Sequence, residues 1–152
     1  GSKNLQAIVL APTHELALQI HEQVLLMGKE AGIRSQLIIG SASTKRQLEG
    51  LKKKPHIVIG SSGRIVELIK MKKLKPHTVK TIIVDEVDRL LYGDSLDYIK
   101  MIVKSTLKDR QLVFASATEQ RESLEEVEKL TKELTKVHTG CNEVINTIDH
   151  LS

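Results

Sequence analysis

Three carboxylates within four positions, Asp85, Glu86 and Asp88, are the residues of this chain best suited to chemistry. They directly follow an apolar segment, 81–84, whose composition predicts a buried strand. Acidic side chains at the carboxyl end of a parallel strand lie where α/β proteins bind ligands. One carboxylate there can hold a magnesium ion, and its neighbour can orient a water for attack on phosphate. Favourable negative charges at a helix start are the alternative interpretation.

Polar segments also follow four other apolar segments that predict strands. They are 12–15 (Pro-Thr-His-Glu), 40–41 (Gly-Ser), 61–64 (Ser-Ser-Gly-Arg) and 116–118 (Ser-Ala-Thr). Because the carboxyl ends of parallel strands meet at one edge of a sheet, we expect all five segments to lie along a common rim. Hydroxyls, N–H groups at helix starts and the Arg64 cation suit phosphate binding. Ordinary turns and caps, with Arg64 bound to a carboxylate, are the alternative.

Predicted strands and helices alternate along the chain. Strands are expected at 7–11, 36–39, 56–59, 80–84 and 111–115, with a last short one at 137–140. Helices are expected at 14–31, 44–54, 64–73, 87–92, 96–107 and 120–135, and a tight turn at 60–63. Strands that are apolar throughout and separated by helices predict an α/β fold, with a parallel sheet covered by helices on both faces.

The composition is that of an ordinary folded domain, with 152 residues, 40% hydrophobic and 28% charged, and a net charge of +4. That charge permits a polyanion as partner, but the scarcity of aromatic residues excludes base stacking as the main route to nucleic acid. A single cysteine, Cys141, fits a reducing compartment, so we expect a cytoplasmic protein. No apolar run approaches a membrane span, and no membrane partner is expected. Residues 1–2 are interpreted as a cloning scar.

Taken together, these segments resemble the first RecA-like domain of the DEAD-box RNA helicases, from Leu5 onward. The likeness rests on five motifs of that family. Three of them carry a single replacement, namely 11–17 as motif Ia with His14 in place of Arg, 40–41 as the glycine doublet with its second glycine replaced, and 85–88 as motif II with Val for Ala. The other two are 61–64 as motif Ib and 116–118 as an unchanged motif III. The fold implied is RecA-like, of the P-loop NTPase class, and the function implied is ATP-dependent unwinding or remodelling of RNA.

The resemblance also implies roles for the motif residues. Asp85 would lie in the outer shell of a magnesium ion bound to ATP, through water, and Glu86 would accept a proton from the attacking water. Asp88 would hydrogen-bond the loop of Ser116 and Thr118, which couples the ATP site to RNA. The residues expected to bind the RNA sugar–phosphate backbone are Pro12, Thr13, His14, Glu15, Gly40, Ser61, Ser62, Gly63 and Arg64.

The sequence contains no Gly-x-x-x-x-Gly-Lys-Ser/Thr segment. We therefore expect 3–141 to be a partial domain that lacks the first strand and the P-loop, and 142–152 to be a loose tail resembling the start of an interdomain linker. Such a fragment is expected to bind neither ATP nor magnesium tightly and to lack ATPase and helicase activity. A second RecA-like domain would be its partner. The missing strand would expose an edge beside 111–115, so the sheet is expected to close by rearrangement or by self-association.

Two other functional classes fit parts of the sequence. A non-catalytic RNA-binding or regulatory module would keep the RNA-contacting segments without catalysis. A receiver-like domain, which accepts a phosphate on aspartate, would explain Asp85 but not Glu86 or Asp88. The lysines at 52–54 and 70–75 are interpreted as solvated helix ends in preference to a nucleic-acid surface.

Overall fold

The computed structural model describes residues 4–40, 43–86, 93–106 and 110–115, together with the backbone of two further strands at 135–138 and 144–148. Its centre is a seven-stranded sheet with the order β2-β3-β1-β4-β5-β7-β6. The strands are β1 (Ala7–Leu10), β2 (Ser35–Ile38), β3 (Ile57–Gly60), β4 (Thr81–Val84), β5 (Gln111–Ala115), β6 (Thr135–His138) and β7 (Val144–Ile148). The first five are parallel, as the sequence predicts.

Four helices and one short 3-10 turn connect the parallel strands in the described ranges. They are α1 (His14–Gly28), α2 (Thr44–Lys52), α3 (Ser62–Lys70), the 3-10 turn Pro76–Thr78, and α4 (Gly93–Ser105). The helices expected at 87–92 and 120–135 fall on residues outside those that the structure describes.

Several predicted helix boundaries were wrong, since α2 ends at Lys52, α3 spans Ser62–Lys70 and α4 spans Gly93–Ser105. The first helix ends at Gly28 and not at 31, because the Gly28 carbonyl accepts hydrogen bonds from the N–H groups of Ala31 and Ile33 in a terminating turn. The tight turn expected at 60–63 is replaced by an earlier start of α3. Ser61 is extended, with φ −82° and ψ 143°, and the helix begins at Ser62.

The sheet is covered by helices on both faces. Helices α2, α3 and α4 pack on one face over a buried cluster that includes Ile8, Leu10, Ile65, Ile102 and Phe114. Helix α1 packs on the other face over Val9, Ala11, Ala17 and Ile59. Successive residues of β1 enter opposite clusters, as the two-residue side-chain period of a strand requires. Within the described part of the chain, no helix combines the length and apolarity needed to cross a membrane.

The free edge of β5 is paired within the same chain. Strand β7 runs antiparallel to it, in a register from Gln111 opposite Ile148 to Ala115 opposite Val144. The likeness of this segment to an interdomain linker stays a prediction, but the segment expected to be loose contains a strand. Its physical reason is the row of backbone N–H and C=O groups along β5, which is unfavourable unless a neighbouring strand satisfies it.

Candidate functional site

The carboxyl ends of the parallel strands are level with one another. Leu10 at the end of β1 lies opposite Gly60 of β3 and Val84 of β4, and Ile38 of β2 lies opposite Gly60. Each strand is therefore followed at the same height by its polar segment. Backbone hydrogen bonds extend the pairing one residue further, from Ala11 N to Gly60 O at 3.0 Å, from Ser61 N to Ile38 O at 3.0 Å and from Asp85 N to Leu10 O at 2.9 Å.

This edge carries two groups of candidate residues. We call Asp85 and Glu86, after β4, the acidic side of the rim, and Thr13, Ser61 and Arg64, after β1 and β3, the hydroxyl side. The hydrogen bond from Asp85 N to Leu10 O joins the two sides through the end of β1. The structure thus brings together segments that are more than fifty residues apart in sequence. The expectation of a common rim is met for the segments after β1, β2, β3 and β4.

The acidic side is shaped by an unusual backbone. Glu86 has φ +49°, a left-handed conformation that residues other than glycine adopt at a cost. The Oδ1 atom of Asp85 accepts a hydrogen bond from the Glu86 N–H at 2.9 Å. Both residues are half-buried. The backbone therefore leaves the strand conformation at Glu86, and two adjacent carboxylates lie at the rim directly after β4.

The carboxylates present fit a magnesium ion that accompanies a nucleotide. Among the residues described, no group of three or more His, Cys, Asp or Glu side chains could form a protein-only metal cage. Mg²⁺ does not need such a cage, because it keeps several waters and binds through one or two carboxylates together with substrate phosphates. Asp85, with one oxygen bonded to a backbone N–H, could hold such an ion.

Thr13 occupies a structural position at the start of α1. It is extended, with φ −128° and ψ 153°, and its Oγ1 atom accepts a hydrogen bond from Leu16 N at 3.1 Å. The capping alternative is therefore correct for this residue. A hydroxyl that accepts one hydrogen bond still has its own O–H to donate, so the cap leaves a donor for phosphate. His14 and Glu15 are exposed in the first turn, where the Glu15 charge suits the helix dipole.

The segment 61–64 differs in detail from the expectation. Ser61 is the N-cap of α3, but its side chain makes no capping hydrogen bond. Ser62 is 4% exposed, so its hydroxyl lies inside the fold and is not offered at the surface as expected. A Cβ atom on Gly63 would lie 3.1 Å from Cε2 of Tyr98, so this glycine permits the close packing of α3 on α4.

The Arg64 guanidinium is held by three neighbours. Its Nε donates to Gln47 Oε1 at 3.2 Å, its Nη1 pairs with Glu67 Oε2 at 2.8 Å, and its Nη2 donates to Thr44 Oγ1. The Arg64 side chain is only 11% exposed. The alternative in which Arg64 pairs with a carboxylate is therefore observed. Because a guanidinium has five N–H donors, these three bonds still leave donors for a phosphate.

Sequence reasoning missed two residues that support this side of the rim. Gln47 is 2% exposed, and its Nε2 donates to Ile39 O at 2.5 Å while its Oε1 accepts from Arg64. A Cβ atom on Gly60 would lie 1.7 Å from Ile38 O, so β2 and β3 can pair here only through a glycine. The position of Gly60 directly before the polar segment was the available signal. A lone Gln in a basic helix offered none.

The remaining predicted residues divide into two groups. Pro12 lies half-buried before α1, and Gly40 is exposed after β2 with open space around it. Asp88, Ser116 and Thr118, the residues expected to couple the two sites, lie outside the described residues, as does position 41 of the expected glycine doublet.

Known proteins similar to this chain point to one family. A family model for DEAD/DEAH box helicases matches residues 1–127. The DEAD-box ATP-dependent RNA helicase CshC of Bacillus cereus is 51% identical over 116 residues, which are 76% of this chain and 30% of that protein. The probable ATP-dependent RNA helicase YfmL of Bacillus subtilis is 44% identical over 131 residues, 86% of this chain and 35% of that protein. The chain spans about a third of the length of these relatives.

Solved structures of related proteins have the same fold. A DEAD box protein from Methanococcus jannaschii superposes with a TM-score of 0.79 at 30% identity, covering 86% of this chain and 36% of that one. Saccharomyces cerevisiae Dbp5 bound to RNA and ADP BeF3 superposes with a TM-score of 0.75 at 31% identity, covering 84% and 32%. Since the family model matches the whole stretch that contains the five polar segments, the chain belongs to the DEAD/DEAH box helicase family.

Proposed function

We propose that this chain takes part in ATP-dependent unwinding or remodelling of RNA, with the acidic side of its rim serving ATP and the hydroxyl side serving RNA. The observation that carries the proposal is the shared rim. Asp85 is hydrogen-bonded to the end of β1, and the same strand leads directly to Thr13. A change at one side can therefore reach the other through a single short strand end.

On the acidic side, each carboxylate has one task. Glu86 accepts the proton of the water that attacks the terminal phosphate, and the left-handed backbone at this residue sets the direction of its side chain. Asp85 would hold the magnesium ion through water, and that ion would neutralise phosphate charge. The hydrogen bond from Glu86 N to Asp85 Oδ1 holds the Asp85 carboxylate against the backbone of Glu86.

On the hydroxyl side, the contacts are with the sugar–phosphate backbone. The Thr13 and Ser61 hydroxyls, the exposed start of α1 with His14 and Glu15, and the remaining donors of Arg64 supply hydrogen bonds without base recognition. Binding is therefore independent of RNA sequence. Dbp5, a structural neighbour of this chain, has been solved with RNA, which supports RNA as the ligand of this side.

The chain by itself is proposed to have no ATPase or helicase activity. It contains no glycine-rich P-loop, and such a loop supplies the N–H groups and the lysine that hold the phosphates. ATP hydrolysis would therefore need a P-loop and a second RecA-like domain in addition to these 152 residues. The single cysteine fits a protein of the cytoplasm.

The second candidate function is a non-catalytic RNA-binding or regulatory module. The observation that favours it is the same absence of a P-loop, combined with an intact hydroxyl side. The two functions differ in one property, which is ATP turnover stimulated by RNA.

The test measures RNA-stimulated ATP hydrolysis by the full-length gene product that contains this chain. We expect Glu86→Gln to lower kcat by roughly 10²- to 10⁴-fold while ATP affinity is retained, because only the proton acceptor is removed. Glu30→Gln, an exposed residue beyond α1, is the matched control and should leave turnover unchanged. Full turnover in Glu86→Gln would refute the assignment of Glu86. No stimulated turnover in the unmodified protein would favour the binding module.

A further inference from the structure

Two lysine-rich segments that are distant in sequence meet at one groove. Helix α2 and the loop after α3 bring together five lysines along one cavity, Lys45, Lys52, Lys72, Lys73 and Lys75. We call this cavity, whose volume is ≈ 680 Å³, the lysine groove. Glu49 is the single carboxylate along it. An adjoining cavity of ≈ 510 Å³ shares Lys52, Lys73 and Lys75 and adds Lys54, with no carboxylate in its lining.

The positive charge of the groove is not neutralised by the fold. Among the described residues, the salt bridge observed joins Arg64 to Glu67, and no groove lysine takes part in it. All five are exposed. Solvated helix ends account for lysines on separate helices, but not for five lysines and one glutamate along a single concave surface. Like charges gathered in a groove repel one another, and a polyanion relieves that repulsion.

The backbone at both helix ends fixes where these lysines lie. A left-handed residue follows the C-cap of each helix, Lys54 with φ +55° after α2 and Lys72 with φ +60° after α3. After α3, Lys73 N donates to Leu68 O and Lys72 N donates to Ile69 O, which is the hydrogen-bond pattern of a Schellman cap. The loops that carry the lysines are therefore anchored to their helices by backbone hydrogen bonds.

The groove is continuous with the hydroxyl side of the rim. Thr44, the first residue of α2, lines the groove, and its Oγ1 atom also accepts a hydrogen bond from Arg64. From there the groove follows α2, whose nine residues span roughly 13 Å at 1.5 Å per residue. It ends beside Lys52, at the sheet end opposite the rim. A strand of RNA that touches Arg64 can thus run on along α2.

We propose that the lysine groove is an accessory RNA-binding surface, which holds the phosphate backbone of single-stranded RNA as it leaves the rim. The choice of RNA among polyanions rests on the proposed function. The groove is lined by five lysines, two leucines, Thr44 and Glu49, without an aromatic residue, so it binds phosphates and does not stack bases. It increases affinity for RNA irrespective of sequence, and its contribution depends on salt.

The test measures binding of the 152-residue chain to a fluorescein-labelled oligouridine by anisotropy, between roughly 50 and 200 mM salt. The variant K52Q/K73Q/K75Q removes the three lysines shared by both cavities. Because each phosphate contact contributes about 0.7 to the slope of log K against log salt for single strands, we expect the slope to become shallower by about 2. At low salt, affinity should fall by about tenfold or more.

The control variant K29Q/K100Q/K104Q removes the same charge from lysines outside both cavities. It should change the slope much less. Equal effects of the two triple variants would overturn the groove, because they would reflect net charge alone. If K52Q/K73Q/K75Q still bound RNA but no longer bound anionic vesicles, the groove would be a membrane-binding surface and the proposal of RNA binding would be overturned. An unmodified chain that binds no RNA at the lowest salt would refute the groove. The proposed function is tested separately, by the ATPase assay of Glu86→Gln.

Discussion

The two sides of the rim are positioned in different ways. On the hydroxyl side, the residues expected to bind RNA also hold the fold together, since Thr13 caps α1 and Arg64 joins α3 to α2. On the acidic side, Asp85 and Glu86 are placed by a left-handed turn and by one hydrogen bond between them. The difference means that a substitution of Thr13 or Arg64 changes stability and binding together, whereas one on the acidic side can change chemistry alone.

The largest expected effect on stability is at Gly60, where β2 and β3 pair without room for a side chain. Gly60→Ala places a Cβ atom 1.7 Å from Ile38 O, and a backbone carbonyl cannot move aside without separating the strands. We expect the free energy of unfolding to fall by more than about 4 kcal/mol, measured by urea denaturation followed by circular dichroism. Gly40→Ala is the control, with nothing within 4 Å of its added Cβ. If Gly60→Ala lowered the free energy of unfolding by only about 1 kcal/mol, the usual effect of a point mutation, this account of the strand pairing would be contradicted.

The order of the five parallel strands and of the described helices between them could be predicted from the sequence, because each apolar run is short and ends in a polar segment, whereas β7 was not predicted. The strand at 111–115 was predicted with its observed bounds, since it lies between charged and polar residues. The start of α3 could not be predicted, because Ser61, Ser62 and Gly63 are all compatible with a turn. The helix begins there because β3 places Ser61 in an extended conformation and packing buries Ser62.

Gln47 in α2 holds the Arg64 side chain in place, because its Oε1 atom accepts a hydrogen bond from Arg64 Nε. Removing this side chain leaves Ile39 O and Arg64 Nε without their observed partner in a buried place. We expect Gln47→Ala to cost about 1–3 kcal/mol and to weaken RNA binding with it. Gln47→Glu separates the two contacts, because a carboxylate still accepts from Arg64 but cannot donate to Ile39 O. Equal stability of Gln47→Ala and the unmodified chain in thermal denaturation would show that Arg64 does not need this support.

The role of Gln47 shows what sequence reasoning lacks at this site. The candidate residues could be found because their types and order follow the strand ends. Their partners could not, because Gln47 and Thr44 reach Arg64 only when α2 and α3 lie side by side on the sheet. A contact of this kind depends on tertiary packing and has no local pattern.

Removing the hydroxyls of Thr13 and Ser61 should have smaller effects on stability, and the two effects should differ. Thr13→Ala removes a helix cap and should cost about 1 kcal/mol of stability. Ser61→Ala removes a side chain that makes no capping hydrogen bond, and we expect little change in stability. Both should weaken RNA binding. The measurement is chemical denaturation beside RNA anisotropy for each variant. An equal loss of stability in the two would mean that Ser61 is also a structural residue, and the contrast between them would disappear.

The smallest expected effect is a pH dependence of folding stability, which arises from a histidine in α1, the helix that follows Thr13. His21 of α1 lies 3.0 Å from the Ser35 hydroxyl of β2, through Nδ1. Burial lowers the pKa of His21 below its ordinary value of 6.5, and the neighbouring Glu22 charge opposes this only in part. The unfolded chain therefore takes up the proton first. Stability from this group is complete above pH 6.5 and falls as the pH drops below it, until the folded chain is protonated too.

His21→Gln keeps a hydrogen-bonding side chain opposite Ser35 but cannot titrate, so it should flatten the change in stability between roughly pH 7 and pH 5. The measurement is the urea midpoint at each pH. His77→Gln, at an exposed position of the 3-10 turn, is the matched control and should leave the slope in place. Because His21 joins α1 to β2, the flattening should extend to RNA affinity on the hydroxyl side, while ATP turnover on the acidic side should follow its own pH profile. An unchanged slope in His21→Gln would place the acid sensitivity elsewhere in the fold.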